Sequence, residues 1–217
     1  MSRIFNCPYG EVSGGGVGEG AGGYFSDTYP WFGCSNNLTL TDEVRRTFLD
    51  THNELRRNVA HGKQENLIDF LAPAKNMYAL NWDCDLKEQA QNSLAKCTLT
   101  ENVNAGRNNI AMTLVSTFLS LAMNNWISPV KFFGKARPTN AYDGNFCQFA
   151  NMVHANSTRM GCSYKRCGDQ FLVTCLYDKC GTIPNGLMWE EGEACQEDDE
   201  CTTFYGSECH DGLCVLP

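Results

Sequence analysis

The chain has 217 residues, a formal net charge of −8 and 42% hydrophobic residues, enough to bury one sizeable core. All 17 basic residues lie within positions 1–179 without forming a cluster, which excludes nucleic acid as a favoured partner. Positions 180–217 hold nine of the 25 acidic residues and no basic ones, so the tail is acidic. No run of about 18 apolar residues occurs, and the sequence therefore predicts no membrane span.

Thirteen cysteines indicate an oxidising compartment and hence an extracellular, secreted protein. A zinc-rich intracellular protein would need paired C-x₂-C ligands, which are absent from the sequence. Because the count is odd, one cysteine is free, pairs with another chain or has lost its partner. Two sequons predict N-glycosylation at Asn37 and Asn156, in agreement with secretion.

Residues 1–40 form an N-terminal extension in this interpretation. The segment "GEVSGGGVGEGAGG" is too rich in glycine to hold one conformation and is typical of a flexible linker. The aromatic segment "YFSDTYPWFGC" follows, and we expect it to lie against the body because exposed aromatic rings are costly.

Three helices are predicted after the extension. Thr41 opens the first, whose apolar positions recur at helical spacing until Gly62 ends it. The second covers about residues 83–97. The third is expected over about residues 109–126, apolar nearly all round and therefore well buried, with Pro129 ending it.

An aromatic-rich loop and a short helix come next, followed by two strands, "RMGCSYK" and "QFLVTCLYD", with a turn at Gly168-Asp169. Helices on both sides of a short antiparallel sheet predict an α+β fold, a three-layer α/β/α sandwich over residues 41–180. Residues 181–217 read as a small cysteine-rich module. It is too short for a core of its own and must be held by disulfides in one of three possible pairings.

Three segments carry a family resemblance: "FLDTHNELRR" on the first helix, "MVHANSTRMGC" after the aromatic loop and "VTCLYDKCG" in the last strand. In this order they resemble the CAP superfamily of secreted proteins, which includes insect venom allergens and plant pathogenesis proteins. The cysteine-rich tail is similar to that of venom-allergen-like proteins secreted by parasitic nematodes. The resemblance covers about residues 41–217 and implies the CAP fold, with a central cleft.

Many members of this family line the cleft with two histidines and two glutamates that hold a divalent metal. Set against that pattern, Gln148 stands in the slot of one histidine, and Glu101 is the nearest match to the other. Asn108 and Pro129 stand in the glutamate slots. Imidazole and carboxylate groups suit zinc, whereas the side chains of glutamine, asparagine and proline do not bind it well. We therefore predict a degenerate cleft with no metal, no cofactor and no catalytic residue.

His154, in the place of a signature tryptophan, and Cys147 raise the alternative of a thiol–imidazole enzyme. Their separation along the chain corresponds to about 10 Å on a helix, too far for a hydrogen bond. We expect His154 to be a packed residue and Cys147 to form a disulfide, with Cys7 or Cys34 as its partner. The chain is therefore predicted not to be an enzyme.

The resemblance implies two non-enzymatic functions at a host–parasite interface. The first is binding of a sterol or a fatty acid through the aromatic loop, with Phe132, Phe133, Tyr142 and Phe146 as the predicted ligand-binding residues. The same rings could instead fill the edge of the core, and this alternative stays open. The second function is antagonism of a host cell-surface protein, an immune or adhesion receptor. The acidic tail could meet a basic surface on that receptor or steer the association.

Overall fold

The structure is a computed structural model, and it describes residues 32, 34, 40–99, 106–113, 115–134 and 140–217. The helices in these ranges are α1 Asp42–Ala60, α2 Cys84–Ser93, α3 Phe118–Phe133 and α4 Cys147–Val153. The strands are β1 Ala74–Lys75, β2 Asn81–Trp82, β3 Gly106–Thr113, β4 Arg159–Cys167, β5 Gln170–Tyr177, β6 Glu190–Glu191, β7 Glu208–His210 and β8 Leu213–Val215. The Gly-rich segment, Asn37 and Glu101 lie outside the described residues.

Helix α1 forms as predicted. The Thr41 side chain accepts a hydrogen bond from the Val44 backbone nitrogen at 3.3 Å, which satisfies one of the free donors at the start of the helix. Gly62 follows the helix with φ of +63°, a conformation that favours glycine. The helix buries one stripe against the core: Phe48, His52, Leu55 and Val59.

A four-stranded sheet forms the middle layer, in the order β2-β4-β5-β3. Strands β4 and β5 form the predicted antiparallel hairpin, and Gly168 turns it with φ of +58°. One face of the sheet packs on α2. The approach is so close that a Cβ at Gly161 would lie 2.1 Å from the backbone nitrogen of Lys87. The other face turns Cys162 and Tyr177 into the core shared with α1, α3 and α4. The predicted α/β/α sandwich is confirmed.

The prediction of a helix over residues 109–126 is wrong. Residues 106–113 form β3, and α3 begins only at Phe118. Strand β3 pairs along its whole length with β5, a partner that comes more than 50 positions later in the chain and that local sequence does not reveal. Pro129 does not end the helix either, since it lies inside α3.

Helix α3 is also less buried than predicted. It buries a single stripe: Phe118, Ala122, Met123, Trp126 and Val130. Phe132 and Phe133 occupy its last turn, where they are 60% and 75% exposed. These two rings therefore belong to a helix end rather than to the predicted loop. No helix in the described ranges is long and apolar enough to cross a bilayer.

Disulfides tie the layers and the tail together. Those with both cysteines in the described residues are Cys34–Cys84, Cys97–Cys167, Cys162–Cys175, Cys195–Cys209 and Cys201–Cys214. The last two select one of the three pairings that the sequence left open for the tail. They close short loops around the β7–β8 hairpin.

The tail also packs on the body. The Cys214 backbone nitrogen donates to the Met77 carbonyl, and its own carbonyl accepts from the Ala79 nitrogen, both at 2.8 Å. Trp189 and Leu213 are each 2% exposed and belong to the main hydrophobic core. The division at residue 180 stays a prediction, and these contacts make it testable.

Candidate functional site

A chain of hydrogen bonds between buried polar side chains runs through the predicted cleft. Asn151 Nδ2 donates to Asn108 Oδ1, and Asn108 Nδ2 donates to Tyr177 Oη, both at 3.1 Å. Tyr177 Oη in turn donates to His52 Nε2 at 2.7 Å, and His52 Nδ1 donates to the Phe48 carbonyl at 2.7 Å. Because a carbonyl can only accept, this order settles which imidazole nitrogen carries the proton.

Burial keeps this network neutral. Desolvation lowers the pKa of His52 to about 4 and raises the pKa of Tyr177 well above its usual value of 10. Asn108 is fully buried, and its Nδ2 also donates to the Gln148 carbonyl at 2.9 Å. The network therefore presents neither negative charge nor a spare ligand atom to a cation.

The four family slots can now be compared with the structure. Asn108 and Gln148 are in contact, as the resemblance implies, but through an amide–carbonyl hydrogen bond. Pro129 lies in α3 and its side chain has no donor or acceptor atom. Glu101 lies outside the described residues. The described residues in these slots do not fit a divalent metal, because they offer a neutral amide network and a proline in place of charged ligands.

Elsewhere in the described ranges, only one group of three or more metal-ligating side chains lies close enough to share an ion. It consists of Cys195, Cys201 and Cys214. All three are in disulfides, so their sulfurs are not available as thiolates. The cluster therefore consists of disulfides that hold the tail together.

Cys147 is a free thiol, so the prediction of a disulfide to Cys7 or Cys34 is wrong. Cys34 pairs instead with Cys84, beside the start of α2. The Cys147 sulfur lies 3.2 Å from Gln148 Oε1, to which it donates. Burial raises the pKa of this thiol above its usual value, so it is protonated at neutral pH.

His154 ends α4 at the opposite end from Cys147. Burial, with a smaller contribution from the charge of Arg56, lowers its pKa to about 4. Its Nδ1 lies 3.4 Å from Ser157 Oγ. A neutral imidazole and a protonated thiol at the two ends of a helix do not make the activated nucleophile that a cysteine enzyme requires.

The predicted ligand-binding rings divide into two pairs. Tyr142 and Phe146 line a small pocket of about 50 Å³, together with Val130 and Trp189. Phe146 holds this place with φ of +54°, an uncommon and strained conformation for a bulky residue. Phe132 and Phe133 do not line the pocket, although Val130 and Gly134 on either side of them do.

A much larger groove of about 790 Å³ lies between α1, the β7–β8 hairpin and α3. Its apolar lining consists of Leu55, Ala79, Ile127, Leu213 and Val215. Arg57 also lines the groove, and its guanidinium forms ion pairs with Glu54 at 3.0 Å and with Asp211 at 2.7 Å. Sequence reasoning missed this groove because its walls come from segments far apart in the chain.

Comparison with known proteins assigns the chain to a family. The chain matches the CAP family, described as the cysteine-rich secretory protein family, over residues 49–177. It is 38% identical over 193 residues to Ancylostoma secreted protein of Ancylostoma caninum, a match that covers 85% of this chain and 45% of that protein. This chain belongs to the CAP family. It is also 26% identical to Hookworm platelet inhibitor 1 of the same species, over 84% of this chain and 87% of that protein.

Solved structures agree with the assignment. The CAP chain superposes on Na-ASP-1 with a TM-score of 0.76 and 38% identity, covering 86% of this chain and 49% of that one. It superposes on BmVAL-1 with the same TM-score and 25% identity, over 85% and 98% of the two chains. The chain therefore spans about half the length of Ancylostoma secreted protein and of Na-ASP-1, and 98% of BmVAL-1.

Proposed function

We propose that this CAP protein is an extracellular, non-catalytic binding protein that acts at a host–parasite interface and carries a sterol or another small lipid. The observation that carries the proposal is the exposure of Phe132 and Phe133 beside a pocket lined by Tyr142 and Phe146. A soluble protein does not commonly leave neighbouring aromatic rings uncovered unless a ligand or partner covers them.

The size of the pocket limits how a lipid could be seated. A volume of about 50 Å³ takes only a small part of a sterol or an acyl chain. The rest of the ligand would lie across the exposed rings of Phe132 and Phe133. This seat is shallow, and it combines an apolar surface with few polar anchors, as small-molecule sites do.

The groove between α1 and the tail is a second place for an apolar chain. Its volume of about 790 Å³ lies within the range of small-molecule sites. Ile127 reaches it from α3, so one variant can test the groove without altering the aromatic pair.

The chemistry of the cleft supports a non-catalytic role. Asn108 uses its amide in a buried neutral network, and among the described residues the protonated thiol of Cys147 donates to the amide oxygen of Gln148 rather than to a base. The relatives whose printed names contain "secreted" or "secretory" support an extracellular location.

Antagonism of a host receptor is the alternative function. The name Hookworm platelet inhibitor 1, carried by a relative that aligns with 84% of this chain, favours it. This function predicts saturable binding to host leukocytes or platelets that does not change when Phe132 and Phe133 are replaced.

The test is equilibrium binding of labelled cholesterol and labelled palmitate, each competed with unlabelled ligand. We expect saturable binding that the double change Phe132→Ser with Phe133→Ser weakens at least about tenfold, since each ring contributes apolar contact area. Tyr205→Ser, at a fully exposed ring of the tail, is the matched control.

If Ile127→Asn loses binding and the double variant of Phe132 and Phe133 does not, the lipid site is the groove instead. If neither lipid binds the native protein, carriage of these lipids is wrong and the receptor alternative gains support.

A further inference from the structure

We propose that the groove between α1, α3 and the β7–β8 hairpin, called the tail groove below, binds an amphiphilic amine, a molecule with one positively charged head and an apolar body. The inference goes beyond the proposed function, because neither cholesterol nor palmitate carries a positive charge and their proposed seat is the aromatic pair Phe132 and Phe133. The tail groove can bind such an amine whether or not the aromatic pair carries a lipid.

The floor of the tail groove is the outer surface of the hydrophobic core. Leu55 and Leu213 line the groove although they are only 3% and 2% exposed, and both belong to the main core cluster. Ala79 and Ile127 are partly buried and pack against the same cluster. The volume of about 790 Å³ falls within the size range of small-molecule sites, and the apolar floor suits an alkyl chain or a ring.

The rim of the tail groove has an excess of negative charge. The carboxylates of Asp50, Glu54 and Asp211 stand against one guanidinium, that of Arg57. Glu54 and Asp211 are 63% and 75% exposed, so they lie at the rim rather than in the floor. Arg57 forms ion pairs with both of them, at 3.0 and 2.7 Å. Because its single charge is already shared between two carboxylates, it cannot also compensate Asp50.

Asp50 is the carboxylate of the rim with the least compensation. In the part of the chain that the structure describes, no cation forms an ion pair with it. Burial raises the pKa of Asp50 above its usual value, and this effect exceeds the opposing charges of Arg46 and Arg57. His210 also lines the groove, but its imidazole lies 3.1 Å from the Glu208 carboxylate, so it adds no uncompensated positive charge. A cation bound beside Asp50 would therefore be attracted to it.

The uncharged polar side chains of the lining favour a ligand with a single polar head over a peptide. Asn53 uses both ends of its amide on the backbone of Leu80, at 3.0 and 2.8 Å. Thr51 Oγ1 donates to the Thr47 carbonyl at 2.7 Å. A peptide brings an N–H and a C=O group at almost every residue, and each one that is buried needs a partner. With these side chains engaged, the lining suits an alkyl body with one ammonium group better.

The same charges predict an order of preference among ligands. A fatty acid offers the same apolar chain as an alkyl amine, but its carboxylate would face the three carboxylates of the rim. Like charges in one site repel, whereas an ammonium group is attracted. The tail groove should therefore prefer an amine to an alcohol of the same chain length, and the alcohol to the fatty acid.

The experiment is isothermal titration calorimetry of the full chain with decylamine, decanol and decanoate, at neutral pH and below the concentration at which each ligand forms micelles. The three ligands share one alkyl chain and differ in the charge of the head. Decylamine should bind at least about tenfold more tightly than decanoate, because one head is attracted and the other repelled. Decanol should lie between them, and added salt should narrow the difference.

Three variants locate the site. Asp50→Asn should weaken decylamine about fivefold and leave decanol unchanged, since it removes a charge and keeps the shape. Asp169→Asn is the matched control, because it makes the same chemical change at an exposed residue of the β4–β5 turn, outside the groove. It should leave all three affinities unchanged. Ile127→Asn places an amide in the apolar floor and should weaken all three ligands together, and circular dichroism checks that each variant is folded.

The proposal is overturned if decylamine binds no more tightly than decanoate, if Asp50→Asn weakens decanol as much as decylamine, or if Ile127→Asn leaves decylamine binding intact. Binding of a lysine-rich peptide by a protein that does not bind decylamine would assign the groove to a basic protein partner instead. The double change of Phe132 and Phe133 should not alter decylamine binding. Failure of lipid carriage at the aromatic pair can therefore be told apart from failure of this proposal.

Discussion

Arg56 shows how one side chain holds together segments that the sequence separates widely. It is fully buried, and its guanidinium donates only to backbone carbonyls. The acceptors are the carbonyls of Tyr78, Met152, His154, Ala155 and Ser157, at 2.6 to 3.0 Å. The planar fork of arginine suits such a cluster, because its five N–H groups point in fixed directions.

We expect Arg56→Met to lower the free energy of unfolding by about 3–5 kcal/mol, because buried carbonyls lose their donor and have no water to replace it. Urea unfolding followed by circular dichroism measures the loss. Arg159→Met is the control, since its 58% exposed side chain makes surface ion pairs worth at most about 1 kcal/mol. Equal midpoints for the two variants would contradict this role of Arg56.

At the scale of elements, α3 contains a proline where a helix normally has a hydrogen bond. Pro129 has no N–H, so the helix lacks the bond that residue 129 would donate to the carbonyl four positions earlier. Tertiary packing of the stripe from Phe118 to Val130 holds the helix together despite this loss. The sequence prediction gave the proline more weight than that packing.

We expect Pro129→Ala to raise the free energy of unfolding by about 1–2 kcal/mol, less than the full cost of a helical proline because the unfolded chain gains freedom. Thermal unfolding measures it. Pro184→Ala is the contrasting variant and should lower the free energy of unfolding. Pro184 precedes Asn185, with φ of +59°, in a turn that suits proline. A fall in stability for Pro129→Ala would mean that its ring packing outweighs the missing bond.

At the scale of the whole molecule, the tail and the sandwich share one core. Trp189 and Leu213 pack with the main cluster, and β6 pairs with β1. We expect a chain that ends at Cys180 to lose several kcal/mol of stability, comparable with the entire stability of a small domain, because these side chains each contribute about 1.5–3 kcal/mol.

The measurement is the midpoint of thermal unfolding, compared with that of the full chain. A full chain with Cys201→Ala and Cys214→Ala is the control. It should lose only about 2–4 kcal/mol, since it keeps the apolar contacts. An unchanged midpoint for the shortened chain would show that residues 41–180 form an independent domain.

The candidate site was only partly predictable. The sequence was enough to predict that Asn108, Pro129 and Gln148 stand in the slots of the family's metal ligands, because those slots are tied to local motifs, and this stays a prediction. The hydrogen-bond chain through Tyr177 and Asn151 could not, because its members come from separate strands and helices. The free state of Cys147 was missed for a similar reason: with thirteen cysteines, only geometry decides which sulfurs can approach one another.

By itself the sequence determined what local rules control: the start and end of α1, and the β4–β5 hairpin with its turn. Those features depend on residues close together in the chain, where caps, turns and alternating patterns act directly. Only the tertiary structure decided that residues 106–113 are a strand, that Phe132 and Phe133 project from the end of α3, and that the tail enters the main core. Each of these depends on a distant partner, and the free energy of such contacts exceeds local propensity.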